Sequence, residues 1–152
     1  MALKLKSSVF EHEATIPDKY TCQGEDLSPP LSWNGVPENT KSFVLICDDP
    51  DAPSGTWDHW VLYNIPGDRR SLPENIKPKE KTDEMAQGLN SWDKIGWGGP
   101  CPPPGPAHRY FFHLYALDED LDLQPGLTKK EVQETIEDHI LDDCKLMGKY
   151  QR

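Results

Sequence analysis

Short apolar runs alternate with proline- and glycine-rich segments along this chain, which predicts a fold built mainly of β-strands. The first run starts at Ser42 and is apolar on both faces until acids end it, with Phe43, Leu45, Cys47 and Asp49 on one face and Val44, Ile46 and Asp48 on the other. The second run, residues 57–65, divides into Trp57, His59, Val61, Tyr63 and Ile65 on one face and Trp60, Leu62 and Asn64 on the other. A third run, residues 109–117, is apolar on both faces and predicts a central strand.

A helix is predicted only near the end of the chain, because 15 prolines and 11 glycines interrupt the sequence elsewhere. Thr128 and Glu131 have the spacing of a capping box, and Val132, Ile136 and Ile140 follow at four-residue intervals. A one-faced helix is therefore expected from Thr128, followed by a short strand over residues 145–150. Residues 71–91 are polar and without clear period, and are interpreted as a surface excursion.

Composition limits the partners that the chain can have. A length of 152 residues suits a single domain over residues 1–152 with a self-sufficient core. The net charge of −10 disfavours nucleic acid and anionic membrane surfaces as partners, since both require clustered lysine and arginine. The N-terminus lacks the apolar region of a signal peptide, and no stretch approaches the roughly 18 apolar residues of a membrane span. We therefore expect a cytoplasmic protein with no integral membrane contact.

The four cysteines are widely spaced, at Cys22, Cys47, Cys101 and Cys144. No two of them form a C-x-x-C pair, so neither a zinc site nor a redox motif is indicated. In a reducing cytosol we expect free thiols, although the even number would also permit two disulfides.

Two segments bring acids, imidazoles and rigid backbone together, each where a proline- and glycine-rich loop meets an apolar strand. The first is DPDAP at residues 49–53 followed by WDHW at 57–60, and the second is GGPCPPPG at 98–105 followed by HRY at 108–110. Binding groups usually collect on loops that a rigid scaffold positions. The two segments therefore predict a pocket.

These motifs resemble the signatures of the phosphatidylethanolamine-binding protein family, which includes the Raf kinase inhibitor proteins and smaller bacterial and archaeal relatives. YTCQGED at residues 20–26, SPPLSW at 28–33 and QGLN at 87–90 resemble the prokaryotic branch in particular. The resemblance covers nearly the whole chain. It implies an antiparallel two-sheet β-sandwich, a cis peptide at Ala52–Pro53 and a small anion pocket at one end. No counterpart of the extra C-terminal helix of mammalian members is expected.

The resemblance also implies which residues form the pocket: Asp49, Trp57, His59, Gly99, Pro100 and His108, with Asp51, Cys101 and Tyr110 close behind. Their chemistry supports an anion site, because imidazole N–H groups and the backbone N–H groups of the Gly98-Gly99 turn are donors for phosphate oxygens. Asp49 would fix the tautomer of one imidazole but would repel an anion. The expected ligand therefore combines a phosphoryl group with an ammonium group or with a bound proton.

Several candidates also have a structural interpretation. Asp49 precedes a proline and could simply cap a turn. Without His108, His59 would be interpreted as a hydrogen-bonded histidine of the core. Arg109 is expected to brace loops through a carboxylate. The other histidines, His12, His113 and His139, are interpreted as non-functional, and three tryptophans, Trp33, Trp60 and Trp92, as packing residues.

Three function classes compete. The first is a non-catalytic binding protein for phosphate, phosphorylated small molecules or phospholipid head groups. The second is a hydrolase, which is disfavoured because G-x-S-x-G and H-E-x-x-H motifs are absent and Cys101 lies in a proline-rich loop. The third is a protein-interaction inhibitor of kinases or serine proteases. We expect the first class, with no cofactor and no metal, and a homodimer that covers the stretch around Trp92 and Trp97.

Overall fold

The computed structural model describes residues 2–152 and arranges its strands in two antiparallel sheets. The strands are β1 Lys4–Lys6, β2 Leu31–Asn34, β3 Ser42–Asp49, β4 Trp57–Pro66, β5 Ser71–Leu72, β6 Lys81–Thr82, β7 Met85–Gln87, β8 His108–Leu117 and β9 Ile140–Tyr150. The small sheet has the order β1-β2-β5, and the six-stranded sheet has the order β6-β7-β4-β3-β8-β9. The predicted mainly β, two-sheet architecture is confirmed, and β8 lies inside the large sheet as expected.

The predicted helix, α1 Lys129–Ile136, is confirmed together with its capping box. The Thr128 hydroxyl accepts the N–H of Glu131, and the Glu131 carboxylate accepts the N–H of Thr128. The predicted apolar stripe is wrong at Ile140, because a 3₁₀ turn, Glu137–His139, ends the helical segment and Ile140 begins β9. Strand β9 therefore starts five residues earlier than predicted. Within residues 2–152, no helix has the length and apolarity to cross a membrane.

Both faces of β3 are buried, as its pattern predicts. Phe43, Leu45 and Cys47 pack between the two sheets, in the larger of two apolar clusters. Val44 and Ile46 face the opposite way and form a second cluster, in which Val132 and Ile136 of α1 cover the large sheet. Burying side chains of this size contributes about 1.5–3 kcal/mol each, so β3 anchors both layers.

Strand β4 departs from simple alternation at two β-bulges. Cys47 pairs with Trp60 while Asp48 pairs with Asp58, which leaves His59 as an extra residue. As a result His59 and Trp60, predicted on opposite faces, both contact Trp97. A second bulge ends the pattern at Asn64, whose φ of 57° is left-handed, and turns Ile65 into the cluster between the sheets. Bulges re-aim side chains in this way, which a period of two does not anticipate.

Residues 71–91 are more than a surface excursion, since they supply β5, β6 and β7. All three residues of β7 are buried. The burial of Gln87 is not evident from the sequence because its side chain is polar. Its amide is nevertheless fully hydrogen-bonded: it accepts the Trp60 indole N–H at 2.8 Å and donates to the carbonyls of Lys77 and Lys79. A buried amide that is fully hydrogen-bonded costs little to bury.

Candidate functional site

The two signature segments meet at one end of the large sheet, around a cavity of about 250 Å³. The end of β3 and the starts of β4 and β8 supply its acid, its imidazoles and two of its aromatic rings, and a loop supplies Trp92. The lining residues are Asp49, Ala52, Pro53, Ser54, Trp57, His59, Trp92, Cys101, Pro102, Pro103, His108 and Tyr110. The predicted convergence of the two segments on a pocket is therefore present in the structure.

Asp49 and His108 form a hydrogen-bonded pair at the wall of this cavity. The His108 Nδ1–H donates to Asp49 Oδ2 at 2.7 Å, and the other carboxylate oxygen accepts the N–H of Asp51 at 2.8 Å. Asp49 is only 3% exposed, so water is largely excluded from its carboxylate. Both of its oxygens are hydrogen-bonded to protein groups instead. Because a carboxylate only accepts, His108 carries its proton on Nδ1 and presents Nε2 to a ligand.

His59 is held in the same way by a different acceptor. Its Nδ1–H donates to the Gly98 carbonyl at 2.6 Å, while the His59 carbonyl accepts the Gly98 N–H at 3.0 Å. Burial lowers the pKa of His59, so the ring resists protonation. The neutral ring with Nδ1 protonated leaves Nε2 as an acceptor, which becomes a donor only when the ring gains a proton.

Aromatic side chains complete the walls. Trp92 meets Trp57 edge-on at 5.5 Å and His59 edge-on at 5.2 Å, and Tyr110 meets His59 edge-on at 5.1 Å. Burial, reinforced by the Asp49 charge, raises the pKa of Tyr110 well above its usual value, so its hydroxyl stays protonated. The indole N–H of Trp57 is buried and finds no acceptor within residues 2–152.

Asp51 is brought close to the cavity but does not line it. Its carboxylate receives a two-pronged contact from Arg109, Nε–Oδ2 at 2.9 Å and Nη2–Oδ1 at 2.8 Å. These hydrogen bonds hold the pKa of Asp51 at about 2. Arg109 thus braces the loop through a carboxylate as predicted, and Asp51 lies close behind the cavity with its oxygens committed to Arg109.

Gly99 and Pro100 also lie outside the lining. The N–H of Gly99 donates to Asp26 Oδ1 at 2.9 Å, and the Pro100 carbonyl accepts the N–H of Cys22 at 3.1 Å. The Gly98 N–H is likewise taken, by His59. The expectation that this turn offers backbone donors to an anion is therefore wrong, since long-range partners already use those donors.

Cys22 and Cys101 form a disulfide, with Cα atoms 5.4 Å apart, so the expectation of four free thiols is wrong for this pair. Separated by 79 residues, the two cysteines are adjacent because both loops pack at the same end of the sheet. Cys101 lines the cavity, and its sulfur is covalently fixed there. Cys47 and Cys144 are free, as expected.

The cis peptide implied at Ala52–Pro53 is also absent, because residues 2–152 contain no cis peptide bond. The loop turns by other means: the Ala52 carbonyl accepts the Gly55 N–H at 3.1 Å, and Gly55 has a φ of 111°. Glycine adopts this conformation without steric cost.

Half of the lining residues are not among those predicted from the sequence. Ala52, Pro53 and Ser54 lie inside the first signature, and Pro102 and Pro103 inside the second, so their position beside the predicted residues was the available signal. Trp92, expected to be a packing residue, also lines the cavity, and no local signal in the sequence places it there. Among residues 2–152, no group of three histidines, cysteines or acids is arranged to hold a metal ion.

Comparisons with known sequences agree with the resemblance. A sequence profile described as phosphatidylethanolamine-binding protein matches residues 6–151. A UPF0098 protein of Methanothermobacter thermautotrophicus is 52% identical over 99% of both chains. A UPF0098 protein of Aquifex aeolicus is 45% identical over 99% of this chain and 89% of its own. The similarity therefore extends over nearly the full length.

Solved structures share the fold. A phosphatidylethanolamine-binding protein homologue of Chlamydia trachomatis superposes with a TM-score of 0.91 at 41% identity, over 99% of this chain and 98% of that chain. YbcL of Escherichia coli, described as a member of the mammalian family, superposes with a TM-score of 0.92 at 28% identity, over 100% and 99% of the two chains. The two-sheet arrangement is common to all three.

Proposed function

Because this chain belongs to the phosphatidylethanolamine-binding protein family, we propose that its cavity is a non-catalytic binding site for a small phosphorylated ligand. The family description names a ligand that joins a phosphoryl group to an ammonium group. Free phosphate, phosphorylated small molecules and phospholipid head groups share this phosphoryl chemistry, and a cavity of about 250 Å³ suits a group of that size.

One observation carries the proposal: both histidines of the cavity have Nδ1 engaged by a protein acceptor. The Gly98 carbonyl and the Asp49 carboxylate take these N–H groups at 2.6 and 2.7 Å. Two Nε2 atoms are thereby left for one ligand. Such fixed polar groups in a mostly apolar cavity are what orient a small ligand.

The charge of the site selects the protonation state of the ligand. Asp49 is negative, and a neutral His59 offers an acceptor, so a phosphate dianion would be repelled. A phosphomonoester that keeps one proton donates it to Nε2, and a ligand with an ammonium group offsets the Asp49 charge directly. The cavity should therefore bind a monoanionic phosphate or a zwitterionic phosphoamine more tightly than a dianion.

The chemistry of the remaining residues supports binding without catalysis. Cys101 is held in a disulfide and so supplies no thiolate nucleophile. The pKa of Tyr110 is raised, which keeps its hydroxyl protonated and a weak nucleophile. The histidines and Asp49 would then serve recognition, with affinity in the millimolar to micromolar range expected for a few charge-assisted hydrogen bonds.

Titration of inorganic phosphate and of phosphoethanolamine at pH 6, followed by NMR of the histidine side chains, tests the proposal. His108→Ala should weaken both ligands at least tenfold, because it removes one Nε2 and leaves Asp49 Oδ2 without its hydrogen-bond donor. His113→Ala is the matched control, since His113 contacts Asp48 on the opposite face of the sheet. Equal affinity of the two variants, with the fold intact by far-UV circular dichroism, would refute the site.

A further inference from the structure

A second cavity, of about 400 Å³, lies on the other side of Trp92 and Cys101 from the histidine cavity. The two cavities share only these residues, so the Trp92 indole and the disulfide separate them. The lining residues of the second cavity are Cys22, Asp26, Pro78, Asn90, Trp92, Lys94, Ile95, Trp97, Gly98, Gly99 and Cys101. None of the proposed phosphate-binding side chains faces it.

Two opposite charges line this second cavity without neutralising each other. Asp26 and Lys94 form no ion pair within 4.0 Å, with one another or with any other side chain of residues 2–152. Asp26 uses one carboxylate oxygen to accept the Gly99 N–H at 2.9 Å. Partial desolvation raises the pKa of Asp26, although the residue is exposed and its contacts with Gly99 and Trp97 oppose the rise.

The rest of the lining is apolar and aromatic. Trp92 and Trp97 present indole rings, and Pro78 and Ile95 add aliphatic surface. The Trp97 indole N–H is buried beside Asp26 and acts on that carboxylate as a weak donor, lowering its pKa, although no acceptor among residues 2–152 meets hydrogen-bond geometry. A buried donor held only by this loose contact is available to a ligand oxygen.

The loop that carries Trp92 and Lys94 is held in place by Asn90. Its side-chain oxygen accepts the N–H of Trp92 at 2.9 Å and of Lys94 at 3.3 Å, and its amide donates to the Gly96 carbonyl at 3.0 Å. Trp92 rests directly on Gly98, where an added Cβ would lie 2.5 Å from the ring. The second cavity is thus preorganised, which lowers the entropic cost of binding.

We propose that this second cavity binds a small zwitterion with an apolar body, the chemical class of a free α-amino acid with a branched or aromatic side chain. The ligand ammonium pairs with Asp26, the ligand carboxylate pairs with Lys94, and the Trp97 N–H donates to the same carboxylate. The apolar body lies against the indole rings, Ile95 and Pro78. This site is independent of the phosphate proposal, because no side chain of the Asp49–His108 pair or of His59 contributes to it.

Titration of L-leucine and L-phenylalanine into the whole protein, followed by NMR of the indole N–H resonances, tests this inference. The Trp97 and Trp92 resonances should move on saturation, whereas His108 should not. Lys94→Met and Asp26→Asn should each weaken binding about tenfold or more, as loss of one charge-assisted contact does. The asparagine introduced by the second substitution still accepts the Gly99 N–H and tolerates the left-handed φ of 58°, so that variant keeps the fold. Lys130→Met, at an exposed helical position, is the matched control and should change nothing.

Analogues that carry one charge sharpen the test. Isopentylamine and 4-methylpentanoate retain the apolar body of leucine and should each bind at least tenfold more weakly than leucine. Equal binding of all three, an unchanged affinity in Lys94→Met, or the absence of any Trp97 shift at the solubility limit would each overturn the inference. Phosphate should still shift His108 in the Lys94→Met variant, so failure here is distinguishable from failure of the phosphate site.

Discussion

Asp48 and Asp49 are neighbours in β3, yet they lie on opposite faces of the large sheet and have different partners. Asp48 contacts His113 Nε2 at 3.2 Å and Lys129 Nζ at 3.3 Å, and the same ammonium contacts Asp58 at 2.7 Å. Asp49 contacts His108 Nδ1 at 2.7 Å and no lysine or arginine of residues 2–152 within 4.0 Å. Both carboxylates bind an imidazole, but only Asp48 has a permanent cation.

The difference explains why one face is a candidate site and the other is not. The contacts of Asp48 with His113 and Lys129 outweigh burial and lower its pKa, and the ammonium ties α1 to the sheet. Asp49 has an imidazole as its partner, no fixed cation, and a position on the cavity wall. The Asp48 charge is offset by Lys129, whereas the Asp49 charge is left to act on a ligand.

The largest effect is expected from removing the cross-link on the cavity face. Replacing Cys22 and Cys101 together with serine should lower the free energy of unfolding by about 2–4 kcal/mol, because the disulfide closes a long loop in the unfolded chain. Phosphate affinity should fall as well, since Cys101 lines the cavity. Urea unfolding with and without dithiothreitol measures the change. Wild-type protein in dithiothreitol should match the double variant, and a stability insensitive to both treatments would contradict the cross-link.

Breaking the ion network on the opposite face should have a smaller effect, confined to stability. Lys129→Met leaves Asp48 and Asp58 without their shared cation in a half-buried position, so unfolding should become easier by about 2 kcal/mol at pH 7. Phosphate affinity should stay within about twofold, because the network lies behind the site. Lys130→Met is the control for loss of a surface charge. A parallel loss of phosphate affinity in Lys129→Met would show that the two faces are not separable.

The local sequence pattern predicted the structure correctly wherever the alternation of side chains matches the regular geometry of the strand or helix. The two faces of residues 42–49 and the Thr128 capping box follow from neighbours in sequence, and both are confirmed. The extra residue at His59 follows instead from the register between β3 and β4, which no local pattern specifies. The predicted alternation of faces along β4 is therefore wrong at the bulge that brings His59 beside the cavity.

The site shows the same division. The motifs brought Asp49, His59 and His108 to one cavity, because each motif lies at the end of a strand in the same sheet. Gly99 was placed wrongly because Asp26, 73 residues away in sequence, takes its N–H. The Cys22–Cys101 disulfide and the position of Trp92 likewise depend on loops that meet only in the folded chain.

Acid should destabilise the cavity face through His59. Its folded pKa lies below the unfolded value of about 6.5, so the unfolded chain takes up a proton more readily, and stability falls as pH drops below about 6.5. The slope cannot exceed about 1.4 kcal/mol per pH unit for one proton. Asp48 has a lowered pKa, so its contribution persists until pH falls below about 4. Urea unfolding from pH 7 to pH 5 should show a decline in wild-type protein and a flatter profile in His59→Gln.

The smallest expected effect is on the pH dependence of anion affinity. This dependence distinguishes an anion bound by the histidines from one bound by other donors. Sulfate keeps its charge between pH 8 and pH 5.5, whereas a phosphomonoester loses its second charge near pH 6, so sulfate reports the protein alone. As the rings gain protons their Nε2 atoms become donors, and sulfate affinity should rise steadily toward pH 5.5.

Burial opposes protonation of His59, which confines the expected rise in sulfate affinity to a few-fold, under about 1 kcal/mol. The two rings share one ligand, so the profile should be fitted as a coupled titration. His113→Ala should leave the profile unchanged, because that imidazole serves Asp48 on the other face. A flat profile measured by calorimetry would show that no imidazole of the cavity donates to the anion, and the Asp49–His108 pair would then be structural, like its counterpart behind the sheet.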